Sequence, residues 1–170
     1  VIVAGDSAGN YPNFLSELET CEPQKCLEVV PDEVAFWLYS SGSTGQPKGV
    51  RHVHGSMQFT SDTYGQKVLG IEKDDVVYSA AKFFFAYGLG NAVSFPMSVG
   101  ATTILLSGRP TPDTVVDILN KHRPSVFCGV PTLYGALLAF LEKSENTIEP
   151  KLRRCISAGE ALPFEIGTKW

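Results

Sequence analysis

The sequence predicts an α/β fold, with a largely parallel sheet covered by helices on both faces, and three observations carry that prediction. From Val34 onward, short apolar runs of strand length alternate with helix-length segments, the pattern of βαβ crossovers. Most of these runs are too apolar to keep one face in water, as an outer antiparallel sheet would. Apolar residues make up 44% of the 170-residue chain, enough to fill a sizeable core in about one domain's worth of sequence.

Residues 1–33 read as an N-terminal connecting segment. A short apolar opening leads to Asn10-Tyr11-Pro12-Asn13, then to a weakly helical Phe14 to Glu19 and a stretch containing proline and cysteine. Residues 34–170 read as a βαβ-type subdomain. Its strands are expected at Val34 to Tyr39, Gly49 to Val53, Val76 to Ala80, Ala101 to Leu106, Ser125 to Cys128 and Cys155 to Ser157. Helices are expected at Ser56 to Leu69, Leu89 to Val99, Pro112 to His122, Pro131 to Lys143 and Pro163 to Lys169. Thr111-Pro112-Asp113 supplies a capping hydroxyl, a proline at the first helical position and an acid in the first turn, ahead of the apolar stripe Val115, Val116 and Leu119. Pro131-Thr132 opens a second helix, with Leu133, Leu137, Leu138 and Leu141 at helical spacing.

Composition excludes several functions. A formal charge of −4 with no block of like charges argues against a nucleic-acid footprint or a polybasic membrane anchor. Phe83 to Gly108 carries no charged side chain and is long enough to span a bilayer, but Gly88, Gly90, Asn91, Pro96 and Gly100 interrupt it, and Ala101 to Leu106 has a buried strand's content. No membrane span is expected. Cys21, Cys26, Cys128 and Cys155 form no C-x-x-C pair, which favours a reduced, cytoplasmic protein over a zinc site or disulfide framework. Cys128 and Cys155 lie in apolar runs and read as inert core thiols. His52 and His54 form an H-x-H half-site that no clustered carboxylate or cysteine completes.

The chemistry concentrates in Ser40-Ser41-Gly42-Ser43-Thr44-Gly45-Gln46-Pro47-Lys48-Gly49, immediately after the first strand. Glycines let backbone N–H groups converge on an anion, hydroxyls donate to phosphate oxygens or reach magnesium, and a lysine supplies a point charge. The Walker A spelling requires glycine before the lysine and a hydroxyl after it. Here Pro47 precedes Lys48 and Gly49 follows, and Gly49 to Val53 reads as strand, so a P-loop NTPase is disfavoured.

Tyr39 to Val50, Y-S-S-G-S-T-G-Q-P-K-G-V, resembles the phosphate-binding signature of the adenylate-forming superfamily of acyl-CoA synthetases, luciferases and nonribosomal adenylation domains. His54 is similar to the histidine that follows that loop, and Ser157 to Pro163 resembles the segment lining the family's adenine pocket. The resemblance implies that Ser40, Ser41, Gly42, Ser43, Thr44, Gly45 and Lys48 hold the ATP phosphates. Gly159, Glu160 and Ala161 would lie beside the adenine. Ala158 and Glu160 depart from the residues most frequent at those positions, which leaves the role of Glu160 open.

Lys82 to Asn91 sets four aromatic residues, Phe83, Phe84, Phe85 and Tyr87, beside the small Ala86 and Gly88, a composition suited either to a flat slot for a planar ring or to a buried strand end. F-F-A-Y-G-L-G-N is similar to the substrate-pocket motif of benzoate-CoA ligases, and the segments at Arg109 to Asp113 and Gly129 to Tyr134 look like the same subgroup. The resemblance implies an aromatic acid bordered by Phe85, Ala86, Tyr87 and Gly88. It also implies a two-step reaction with ATP, magnesium and coenzyme A, in which Thr44 helps place the metal and Lys48 offsets developing charge. It further implies that the chain belongs to the large N-terminal domain of a longer enzyme. That enzyme's small C-terminal domain, with its catalytic lysine, would be another partner, and this piece alone would be inactive. An aliphatic acyl-CoA synthetase and a non-catalytic nucleotide-binding module remain the alternatives.

Overall fold

The computed structural model describes residues 1–5, 9–41, 45–149 and 151–170. Helix α1 (Phe14–Thr20) is capped by the Asn13 side chain, which accepts from the Leu15 and Ser16 N–H groups at 3.0 and 3.4 Å. It buries none of its residues. Strands β1 (Val34–Ser41) and β2 (Pro47–Val53) follow, then α2 (His54–Thr60), which continues as a π-helical turn over Ser61–Gln66. The second half contains β3 (Val76–Ser79), α3 (Ala86–Leu89) with a π turn over Gly90–Ser94, and α4 (Phe95–Val99). After it come β4 (Thr102–Ile104), α5 (Pro112–His122), β5 (Val126–Gly129), α6 (Pro131–Lys143), β6 (Arg154–Ser157) and α7 (Phe164–Lys169).

The parallel sheet expected from the alternation is present as four strands in the order β4-β3-β5-β6. The first two strands stand apart from it. β1 and β2 form an antiparallel hairpin, with Ser40 opposite Lys48 and Tyr39 opposite Gly49. The reason is loop length: the segment joining them is too short for the crossover that parallel pairing requires.

β3 and β5 occupy the middle of the sheet, and Val77, Tyr78, Val126, Phe127 and Cys128 are wholly buried. Alternation along the strands sends Tyr78 and Phe127 to one face, where Val115, Val116, Ile118 and Leu119 of α5 and Leu133, Tyr134 and Leu137 of α6 cover them. Val77, Val126, Cys128 and Ile156 point to the other face, against Leu69, Ile71 and Phe95. Each fully buried leucine or phenylalanine in these two layers contributes about 1.5–3 kcal/mol of transfer free energy. Helices therefore cover both faces, as the sequence predicts.

Three of the differences from expectation have a local physical reason. The helix expected at Leu89 to Val99 begins earlier, at Ala86, and widens to a π turn before Pro96, whose missing N–H removes a donor from the regular ladder. The strand expected to reach Leu106 stops at Ile104, because the Leu106 carbonyl accepts from the Lys82 ammonium instead of joining the ladder. Cys155, expected in the core, is exposed because β6 lies at the sheet edge.

At the opposite end of the sheet, the buried Asp75 joins the starts of three strands. Its carboxylate accepts from the Ser125 hydroxyl at 2.6 Å, the Glu72 N–H at 2.8 Å, and the Nε (2.8 Å) and Nη2 groups of Arg153. No helix among the described residues is long and apolar enough to cross a membrane.

Candidate functional site

The strand order reverses between β3 and β5, since β4 lies on one side of β3 while β5 and β6 lie on the other. In open α/β sheets, ligands bind outside the carboxyl ends of the strands at such a point. Both sequence segments expected to form pockets leave the sheet at that end. The aromatic segment follows β3, and the segment from Ala158 to Pro163 follows β6.

Tyr87 brings the two together. Its hydroxyl donates towards the carbonyls of Gly129 at 3.0 Å and Ile156 at 3.2 Å, the ends of β5 and β6. Burial pushes its phenol well above the usual range, so it stays protonated and a donor. Ser157, the residue after Ile156, has a buried hydroxyl with no partner among the described residues. Gly159, Glu160 and Ala161 follow it and are exposed.

The residues expected to border the acid divide into two kinds. Phe85 is 60% exposed, and its ring packs at 4.6 Å from that of Phe84. Ala86 is exposed and opens α3. Gly88 is buried, and the space left by its missing side chain is filled by the chain itself, since a Cβ there would lie 2.1 Å from the Lys82 carbonyl oxygen. Its smallness thus serves the close turn between residues 82 and 88.

The glycine- and hydroxyl-rich segment expected to hold phosphate joins β1 to β2. Gly42, Ser43 and Thr44, which include the expected magnesium-placing hydroxyl, lie outside the described residues. Ser40 and Lys48 pair at the end of the ladder, next to the backbone of Ser41, and both are exposed. Gly45 has φ +79°, in the left-handed region that favours glycine, so the turn depends on it. Lys48 makes no ion pair among the described residues. A cleft of about 170 Å³ separates Phe36, Leu38 and His52 of the hairpin from Ala86, Leu89 and Phe95, placing the inner face of the hairpin beside the aromatic segment. His52 stacks on Phe36 at 5.0 Å, whereas His54 starts α2, so the H-x-H pair divides between two elements.

One residue has a larger place in the structure than its sequence signal suggested. Lys82 is the last charge before the long uncharged stretch, and its ammonium donates to the carbonyls of Leu106, Ser107 and Gly108.

Comparison with known proteins places these features in a family. The chain is 53% identical over 140 residues to a benzoate–CoA ligase of Thauera aromatica, covering 82% of this chain and 26% of that protein. It is 51% identical over 139 residues to a 4-hydroxybenzoate–CoA/benzoate–CoA ligase of Rhodopseudomonas palustris, with the same two coverages of 82% and 26%. The chain thus spans about a quarter of these relatives. Among solved structures, a benzoate CoA ligase from Burkholderia xenovorans superimposes with a TM-score of 0.82 at 47% identity, over 94% of this chain and 32% of that one. The anthranilate CoA ligase AuaEII, in complex with anthranoyl-AMP, gives 0.91 at 31% identity, over 99% of this chain and 33% of that one. Residues 2–170 match the family described as AMP-binding enzyme, and the chain belongs to that family.

Proposed function

We propose that the enzyme to which this chain contributes activates benzoate or a substituted benzoate with ATP and transfers the acyl group to coenzyme A. The observation that carries this reading is the Tyr87 tie. It holds the aromatic segment against the strand ends from which the segment assigned to adenine departs. An acid lying against Phe85 and Ala86 and a nucleotide lying against Gly159, Glu160 and Ala161 would then share one edge of the sheet. The names of the relatives, which act on benzoate, hydroxybenzoates and anthranilate, support an aromatic acid.

In the first step the carboxylate attacks the α-phosphorus of ATP, the bond to the β-phosphate breaks and pyrophosphate leaves, and an acyl-adenylate remains. Ser40, Ser41, Gly42, Ser43, Thr44 and Gly45 would supply donors to the phosphates, while Lys48 offsets the charge that develops on the leaving group. Magnesium would arrive with ATP and neutralise phosphate charge, with the Thr44 hydroxyl helping to hold it. In the second step the coenzyme A thiolate attacks the acyl carbon and AMP leaves. Catalysis would rest largely on holding the ring so that the carboxylate approaches in line. The rest of the parent chain would complete the site, and the free thiols suit a cytoplasmic setting.

The test is AMP release by the full-length parent enzyme with ATP, magnesium and coenzyme A across benzoate, hydroxybenzoates, 2-aminobenzoate, hexanoate and acetate. Turnover confined to aromatic acids is expected. Turnover with aliphatic acids alone would retain the adenylation loop and overturn the aromatic pocket, and no turnover would overturn the enzymatic reading.

A further inference from the structure

We propose that Lys82 is a positioning residue for the acid pocket, clamping the aromatic turn to the loop after β4 without touching the acid. The inference rests on the aryl-acid reading above. The half-buried Lys82 directs its ammonium at three successive carbonyls, those of Leu106, Ser107 (3.1 Å) and Gly108 (2.5 Å). An ammonium has three N–H donors, so these contacts use its full capacity. All three acceptors are backbone groups, and among the described residues Lys82 joins no ion pair. A side chain committed in this way fixes the course of a loop.

The same residue closes the aromatic turn through its backbone. The Phe85 N–H donates to the Lys82 carbonyl at 3.1 Å, and Gly88 packs directly against that carbonyl. Apolar burial contributes little here, because Phe83, Phe84 and Phe85 are 54%, 68% and 60% exposed. The turn is instead held at two polar points, the Lys82 ammonium at its start and the Tyr87 hydroxyl at its end. Between the turn and the loop lies a cavity of about 270 Å³ lined by Phe83, Phe84, Leu105 and Leu106. Releasing the clamp would let Phe85 and Ala86 shift towards or away from the acid while leaving the nucleotide segments in place.

The test compares Lys82→Met, Lys82→Gln and Lys82→Arg in the full-length parent enzyme. Lys82→Met is expected to raise KM for benzoate about tenfold, keep KM for ATP within about twofold, and narrow the preference for benzoate over bulkier ring acids. Lys82→Arg, which retains charge and several donors, is expected to recover most of the loss. If Lys82→Met does not fold, Lys82→Gln is judged by the same ratios. A KM for benzoate that stays within about twofold, or KM values for all three substrates that rise together, would overturn the clamp and leave a general structural role. Absence of aromatic-acid turnover in the unsubstituted enzyme would overturn the underlying reading instead, so the two failures are distinguishable.

Discussion

Replacing Asp75 by asparagine removes the charge that joins the starts of β3, β5 and β6. Burial raises the Asp75 pKa and is the largest single influence on it. The hydrogen bonds from Arg153, Ser125 and the Glu72 N–H, together with the Arg153 charge, outweigh it and hold the carboxyl at about 2 instead of the ordinary 3.8. A carboxyl with a depressed pKa contributes stability that is complete above the unfolded value near 3.8 and is lost as pH falls through about 2. At 1.36 kcal/mol per tenfold change in proton affinity, the contribution at neutral pH is about 2 kcal/mol, of which about half is gone by pH 3. Asp75→Asn should therefore cost about 2 kcal/mol at pH 7 and show a shallower fall in stability than the unsubstituted chain between pH 5 and pH 3. Arg153→Met should cost more, about 3–5 kcal/mol, because the Asp75 side chain left behind is only 5% exposed, whereas an abandoned Arg153, 36% exposed, can turn to water. Urea unfolding followed by tryptophan fluorescence reads both, since Trp170 packs against Tyr134 at 4.8 Å and reports on the core. An unchanged acid slope in Asp75→Asn, or a milder effect from Arg153→Met than from Asp75→Asn, would refute the reasoning.

Further substitutions test other parts of the structure. Gly88→Ala should cost about 3 kcal/mol or more, because the new Cβ would meet the Lys82 carbonyl at 2.1 Å. Gly100→Ala, at φ +74° with open space around it, should cost only about 1 kcal/mol, both read from urea midpoints. Tyr78→Phe should be neutral or stabilise by up to about 1 kcal/mol, since it removes a buried hydroxyl with no partner among the described residues. Thiol labelling of the folded chain should modify the exposed Cys21 and Cys26 first, while Cys128, buried and with its thiol pushed up to about 12, reacts only on unfolding. Lys48→Met, at an exposed position, should change stability by less than about 0.5 kcal/mol yet slow pyrophosphate release by the full-length parent about 10²- to 10³-fold.

Strand and helix positions in the second half of the chain were readable because each buried element repeats its own period. Val115, Val116 and Leu119 mark one helix face, and the run Val126 to Cys128 is apolar on both sides because β5 is covered on both. The segment expected to hold phosphate stood out equally in its spelling, since glycines, hydroxyls and a lysine within ten residues carry their chemistry locally. Cys155 shows the limit of such patterns: an apolar run does not reveal whether its strand lies at the centre or the edge of a sheet.

The sequence by itself determined the α/β class and singled out the two segments expected to flank a nucleotide and the aromatic one between them, because each depends on residues adjacent in the chain. Tertiary structure alone decided that Tyr87 joins the ends of β5 and β6 and that Lys82 reaches the carbonyls of residues 106–108. Those contacts join residues tens of positions apart through backbone carbonyls. Every residue carries that group, so no side-chain pattern could announce which carbonyl would be the acceptor.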